Sequence, residues 1–190
     1  MNAEQEILDE DVDPILKTAI IHAQFESIHP FLDGNGRLGR IVIVLYLIQA
    51  KVIASPIFFV SEELERERMR YYDLLNGTRG NHPDWASWLT FFLKACERMA
   101  EKLNTKLDSA EKLAINGLKE CEKDSEKKVW MYTFHNPNTT ASAAANALNL
   151  SANTVRAALN ALTAKELLFT DRHTKRNKKY KNYELLRILS

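Results

Sequence analysis

The chain has 190 residues, 45% of them hydrophobic, and a formal net charge of +1. That is enough apolar material for one generous domain or two small ones with real cores, so a soluble globular protein is expected. The longest apolar run, Ile41 to Ile48 extended to Ile53, is interrupted by Gln49 and Lys51. It falls short of the ~20 residues a membrane span needs, which argues against a membrane protein.

The acidic amino terminus (Glu4, Glu6, Asp9, Glu10, Asp11) lacks the basic, apolar and small-residue order of a signal peptide. Cys96 and Cys121 have neither metal-ligand spacing nor a disulfide framework. Both observations fit the cytoplasm. The small net charge conceals an asymmetry. From Lys127 onward eleven Lys and Arg face three acids, a charge of +8 that leaves −7 for residues 1 to 126. The two ends are expected to meet different partners.

In chain order, Asp13 followed by Pro14 reads as an N-cap with proline at the first helical position. Apolar residues then recur at helical spacing to Ile28, predicting a helix over 14–28. Pro30 disfavours helical geometry at His29, so the histidine stands where the chain leaves the helix and enters a glycine-rich stretch. A second helix is predicted from about Gly36 to Lys51, a third over 62–75, a fourth over 85–103, and a charged connector over 109–127. Beyond it, residues 141–148 and 152–165 read as two helices around a turn at Asn149 and Leu150, the second capped by Ser151. "LLFTD" and "KKYKNYELL" alternate like two strands joined by the basic tip "RHTKRN". Helix, turn, helix and hairpin together describe a winged helix.

The chemistry concentrates in "HPFLDGNGRLGR", residues 29 to 40. Gly34 and Gly36 let successive backbone N–H groups face one concavity, and a helix starting there adds its positive end. Such a loop suits an anion. Arg37 and Arg40, three apart on the first turn, can clamp neighbouring phosphates with planar donor forks, and Asp33 is a hard-oxygen ligand for Mg²⁺. Histidine is the residue type suited to accept a proton near neutral pH, so His29 is the candidate general base. The set fits transfer of a phosphorus group from a nucleotide, where catalysis is mostly positioning and charge stabilisation.

Other readings fit less well. No Walker lysine is present, and "GNGRLG" follows a helix instead of a strand, against both P-loop and dinucleotide-binding contexts. Glu26 and His29 form one Glu-x-x-His pair, where a di-iron site needs two. His22 reads as a hydrogen-bonded histidine supporting the loop, and Glu26 as an orienting or a solvated glutamate. Tyr71, Tyr72, Trp85, Trp88, Phe91 and Phe92 have helical spacing, so core packing is their default.

At these residues the sequence resembles the Fic family, whose signature His-x-Phe-x-(Asp/Glu)-Gly-Asn-Gly-Arg-x-x-Arg stands complete as His29, Phe31, Asp33, Gly34, Asn35, Gly36, Arg37 and Arg40. "HAQFESIHPF", "MRYYDLL", "DWASWLTFFL" and the carboxy-terminal helix-turn-helix pattern also look like bacterial Fic proteins. The resemblance implies a mainly α protein: a Fic-type helical bundle over residues 1–108, a connector helix over 109–129, and a winged helix-turn-helix domain over 130–190. It implies transfer of AMP from ATP to a Ser, Thr or Tyr hydroxyl of a target protein. By the same resemblance His29 deprotonates that hydroxyl, Asp33 holds Mg²⁺, and Gly34, Asn35 and Gly36 form the anion hole. Arg37 and Arg40 hold the outer phosphates, Phe31 packs in the core, and Tyr71, Tyr72 and Leu75 line the adenine side.

Alternatives stay open at this point. Fic proteins also use other nucleotides, transfer other phosphate-containing groups, or remove AMP. The chain could instead be a nucleotide-sensing, DNA-binding regulator. Asn153, Thr154, Arg156 and Asn160 would then be base or phosphate contacts, and Arg172, Lys175, Arg176, Lys178, Lys179 and Lys181 a basic wing. Monomer and homodimer are both compatible with the sequence. About thirteen residues precede Pro14, too few for the flap and inhibitory helix that many Fic proteins carry, so the expectation is the carboxy-terminal portion of a longer protein or a shortened gene product.

Overall fold

The structure, a computed structural model, describes residues 12–170 and 178–190. The chain divides into two compact units, Met1–Leu103 and Asn104–Ser190. It is mainly α, and none of the described helices is long and apolar enough to cross a membrane.

In the first unit, α1 (Pro14–Ile28) begins where Asp13 Oδ1 accepts the Ile15 N–H at 2.8 Å, with Pro14 in the first turn as expected. Next come α2 (Asn35–Gln49), α3 (Ser61–Arg66), α4 (Arg68–Gly77) and α5 (Trp85–Glu120), the last ending in the second unit. Helices α1 and α2 pack along each other through Ala19, Ala23, Ile43 and Leu47, and the aromatic residues Tyr71, Trp88, Phe91 and Phe92 complete the core. The Trp88 indole N–H donates to the Ala19 carbonyl at 3.0 Å, so the largest core side chain has its polar atom satisfied.

Two predicted boundaries move. The helix expected over 62–75 is two helices, because Glu67 leaves helical geometry (φ −110°, ψ 42°). The turn sets Glu67 beside Arg98, whose guanidinium joins Glu67 at 2.8 Å and the buried Glu63 at 2.9 Å. This tertiary pairing has no local signature, since neither glycine nor proline marks the break. Conversely, the helix expected to end at Leu103 and the connector expected to begin near Ser109 are one element of 36 residues. Nothing between Ala86 and Ile115 is a helix breaker, so polar composition there signals solvent and not a stop.

The second unit holds the end of α5, then α6 (Asp124–His135), β1 (Asn138–Thr140), α7 (Ala141–Leu148), α8 (Ala152–Ala164), β2 (Phe169–Thr170), β3 (Lys179–Lys181) and α9 (Tyr183–Leu189). The strands form an antiparallel sheet in the order β1-β3-β2, with Thr139 opposite Tyr180 and Phe169 opposite Lys181. Its core is Val129, Trp130, Val155, Leu159, Leu162, Leu168 and Tyr180. Gly117 is what admits Trp130: a side-chain carbon there would run into the indole, whose N–H donates to the Ala114 carbonyl at 3.0 Å. The strand read into "KKYKNYELL" stops at Lys181, because Asn182 Oδ1 accepts the Leu185 N–H and starts α9 while its Nδ2 donates to Thr133. Strand β1 was not foreseen. Its three residues are too few to show alternation.

Candidate functional site

The signature loop is fastened by one side chain. Asn35, 2% exposed, accepts the Phe31 N–H on Oδ1 at 3.0 Å and donates from Nδ2 to the Phe31 carbonyl at 2.5 Å. This reciprocal pair closes residues 31 to 35 into a compact turn. Gly34 then takes φ +82°, the left-handed region that favours glycine, and serves as N-cap of α2 without a side chain to offer. The first backbone N–H groups of α2 therefore meet no capping side chain, and the positive helix end stays open.

His29 is exposed and sits at the end of α1 in left-handed geometry (φ 48°, ψ 58°), with its N–H donating to the Phe25 carbonyl at 3.0 Å. A non-glycine residue there costs about 1–2 kcal/mol. Asp33 has a 96% exposed side chain, whose Oδ1 accepts the Gly34 N–H at 2.6 Å and whose Oδ2 lies 3.9 Å from the Arg37 guanidinium. Of the backbone donors expected to face an anion, the Gly34 N–H is engaged by Asp33. The expected packing of Phe31 in the core is corrected: the residue is 52% exposed, and it is the Phe31 backbone that Asn35 holds.

The candidate nucleotide residues separate into two groups. Gly34, Asn35, Gly36, Arg37 and Arg40 are brought together at one helix start. Tyr71 and Leu75, expected on the adenine side, are core residues at 4% exposure each, whereas Tyr72 is 43% exposed. Sequence reasoning missed a groove of about 460 Å³ beside the arginines, walled by Ile41, Val44, Leu45 and Phe59 with Arg37 and Arg40 at its edge. Its signal was the apolar residues on both faces of α2, more than one core-facing stripe requires.

Beneath the loop, Glu26 is 7% exposed and its Oε1 has no hydrogen-bond partner. Burial pushes its carboxyl above the ordinary range, against the opposing charges of His29, Arg40 and Arg79. Arg79 donates to the Glu26 carbonyl at 3.0 Å and to Ser27 Oγ at 3.1 Å, pinning the last turn of α1.

For Mg²⁺, Asp33 supplies an exposed carboxylate, and no cluster of three or more His, Cys, Asp or Glu exists among the described residues. That donor set fits an ion that takes one carboxylate and completes its octahedron with phosphate oxygens and water. In the second unit, Asn153, Thr154 and Arg156 share the first turns of α8, where Arg156 donates to Asn153 Oδ1 at 3.0 Å. Asn160 accepts from the Tyr180 hydroxyl at 3.1 Å. Lys178 lies over the Tyr180 ring and Lys179 is exposed on β3. Arg172, Lys175 and Arg176 lie outside the described residues.

Comparison with known proteins finds that residues 1–47 match the Fic/DOC family. Over 41 residues the chain is 46% identical to a probable protein adenylyltransferase of Aquifex aeolicus, which covers 22% of this chain and 13% of that protein. Over 85 residues it is 34% identical to the protein adenylyltransferase Fic of Nematostella vectensis, covering 45% of this chain and 18% of that protein. The matched stretches thus span less than a fifth of the relatives' own length. A crystal structure of a Fic family protein from Desulfovibrio desulfuricans G20 aligns with 94% of this chain and 52% of that one, at 22% identity and a TM-score of 0.49.

Proposed function

We propose that the chain is a protein adenylyltransferase, moving AMP from ATP to a hydroxyl side chain of a target protein. One observation carries this reading: the complete Fic signature folds into an uncapped helix start with two arginines beside it and an exposed histidine at its rim. His29 accepts the proton of the attacking hydroxyl, the new bond forms from that oxygen to the α-phosphorus, and the bond to the β-phosphate oxygen breaks to release pyrophosphate. Charge that develops on the phosphates is met by Arg37, Arg40 and the backbone donors of α2. Asp33 would hold Mg²⁺, which supplies further neutralisation of the phosphates. The apolar groove beside the arginines suits an aromatic base joined to those phosphates.

The test is incubation with α-³²P-ATP and Mg²⁺, alone and with cell lysate, in parallel with His29→Ala. Label that depends on His29 supports the reading. Equal labelling by the two proteins removes the base and defeats it.

A second reading concerns the other unit, which we propose is a winged helix that contacts DNA through Asn153 and Arg156. The exposed first turns of α8 favour it. Binding that weakens steeply with salt is expected, and salt-independent or absent binding counts against it.

A further inference from the structure

His22 lies at the middle of α1, fully buried and two turns from the loop. Its ring is set among Tyr71, Trp88 and Phe92, with centroids 6.0, 6.1 and 6.4 Å away. A leucine or phenylalanine would fill that space without desolvating two nitrogens. Both nitrogens are instead used. Nδ1 is 3.1 Å from the Gly39 carbonyl oxygen and Nε2 is 3.0 Å from the Tyr71 hydroxyl. The carbonyl can only accept, so Nδ1 carries the proton and Nε2 accepts from Tyr71. A directed chain of hydrogen bonds therefore runs from α4 through α1 to α2.

Gly39 stands between Arg37 and Arg40 in the first turns of α2. Its missing side chain permits a close approach of the two helices: a carbon added there would run into the Glu26 carboxylate and lie 3.1 Å from the Phe25 ring. The bond to its carbonyl fixes both the rotation and the height of α2 against α1. Those two variables decide where the guanidinium groups stand relative to His29, which leaves the end of the same α1.

We propose that His22 is a positioning residue, which registers the arginine-bearing turn of α2 against α1 and α4 and so sets the phosphate clamp. The inference rests on the nucleotide-transfer reading of the loop. His22 touches no reacting atom. It acts through Gly39 and Tyr71, and burial that holds the imidazole neutral keeps Nε2 available as an acceptor.

The experiment compares the parent chain with His22→Phe, His22→Asn and Tyr71→Phe, reading kcat and KM for ATP in the labelling assay, Kd for ATP by calorimetry, and amide exchange across residues 38–43. Loss of the bond to Gly39 in His22→Phe is expected to raise KM and Kd about tenfold with kcat changed by less than about threefold. His22→Asn, which keeps a donor toward Gly39, restores most of the affinity, and Tyr71→Phe falls between. Exchange across 38–43 quickens in the same order. A parental KM and Kd in folded His22→Phe overturns the proposal. Should that variant not fold, parental affinity and exchange in Tyr71→Phe overturn it equally. A parent that binds no ATP defeats the transfer reading instead, and the exchange order then decides the positioning role by itself.

Discussion

Helices α2 and α8 both follow a turn and both open with polar residues, yet they begin in opposite ways. At α8 the donors are consumed internally: Ser151 Oγ accepts the Thr154 N–H at 3.1 Å, the two hydroxyls pair at 2.8 Å, and Arg156 reaches back to Asn153. At α2 the capping position is Gly34, which has no side chain to give, and the Arg37 side chain is 77% exposed. The first arrangement stabilises its own helix by about 1 kcal/mol. The second forgoes that contribution and leaves donors for another molecule. A polar helix start is therefore informative only once it is known where its hydrogen bonds go.

The largest effect expected from this contrast is chemical. His29→Ala should lower AMP transfer by about a hundredfold or more, the usual contribution of a positioned general base, while leaving the thermal midpoint close to the parent's because the side chain is exposed. Labelling rates and a melting curve measured together check it.

Next is a pH effect from beneath the loop. Burial lowers the His22 pKa to about 4, outweighing the bond to Gly39, which raises it, and Arg40 lowers it further. The unfolded chain takes up this proton near pH 6.5 and the folded one only near 4. The His22 penalty is thus absent above pH 6.5 and grows as pH falls toward 4, reaching about 3 kcal/mol. Denaturant titrations between pH 4 and 7 should show a shallower loss of stability in His22→Phe than in the parent.

Arg40→Ala is expected to weaken ATP binding by about 1.5–3 kcal/mol, the range for charge-assisted hydrogen bonds, whereas Arg156→Ala leaves it unchanged. Calorimetry on both variants compares the open helix start with the closed one directly. The smallest effect belongs to the closed start. Ser151→Ala should cost about 1 kcal/mol of stability and nothing in ATP affinity, and equal losses at Ser151 and Arg40 in both measurements would erase the distinction.

Much of this was legible in the sequence, for identifiable reasons. Helix α1 came out to the residue because Asp13, Pro14 and Pro30 punctuate both ends, and α7 and the start of α8 because Asn149 and Ser151 mark the turn between them. The loop was readable because each residue type in it has a distinct chemistry. What escaped depended on contacts distant in the chain. Glu67 turns toward Arg98, 31 positions away, and Asn182 ends a strand partly by bonding Thr133. Tyr71 packs in the core as its spacing indicates, yet the partner of its hydroxyl escaped for the same reason. Spacing shows that a tyrosine faces the core side of α4, but not that a histidine 49 positions earlier holds its hydroxyl.

Asn35 carries a consequence for how freely the loop can vary. Its amide sets an N–H donor and an oxygen acceptor side by side at the spacing of a peptide group, and both atoms bond Phe31. Aspartate has nearly the same outline but sets an oxygen against the Phe31 carbonyl, turning an attraction into a repulsion. Glutamine keeps both groups and places them a methylene too far. Serine and threonine can satisfy only one half of the pair. Of the twenty side chains, one matches this socket, so drift at position 35 is closed even to its nearest chemical neighbours, while the exposed Leu32 three positions earlier has wide latitude.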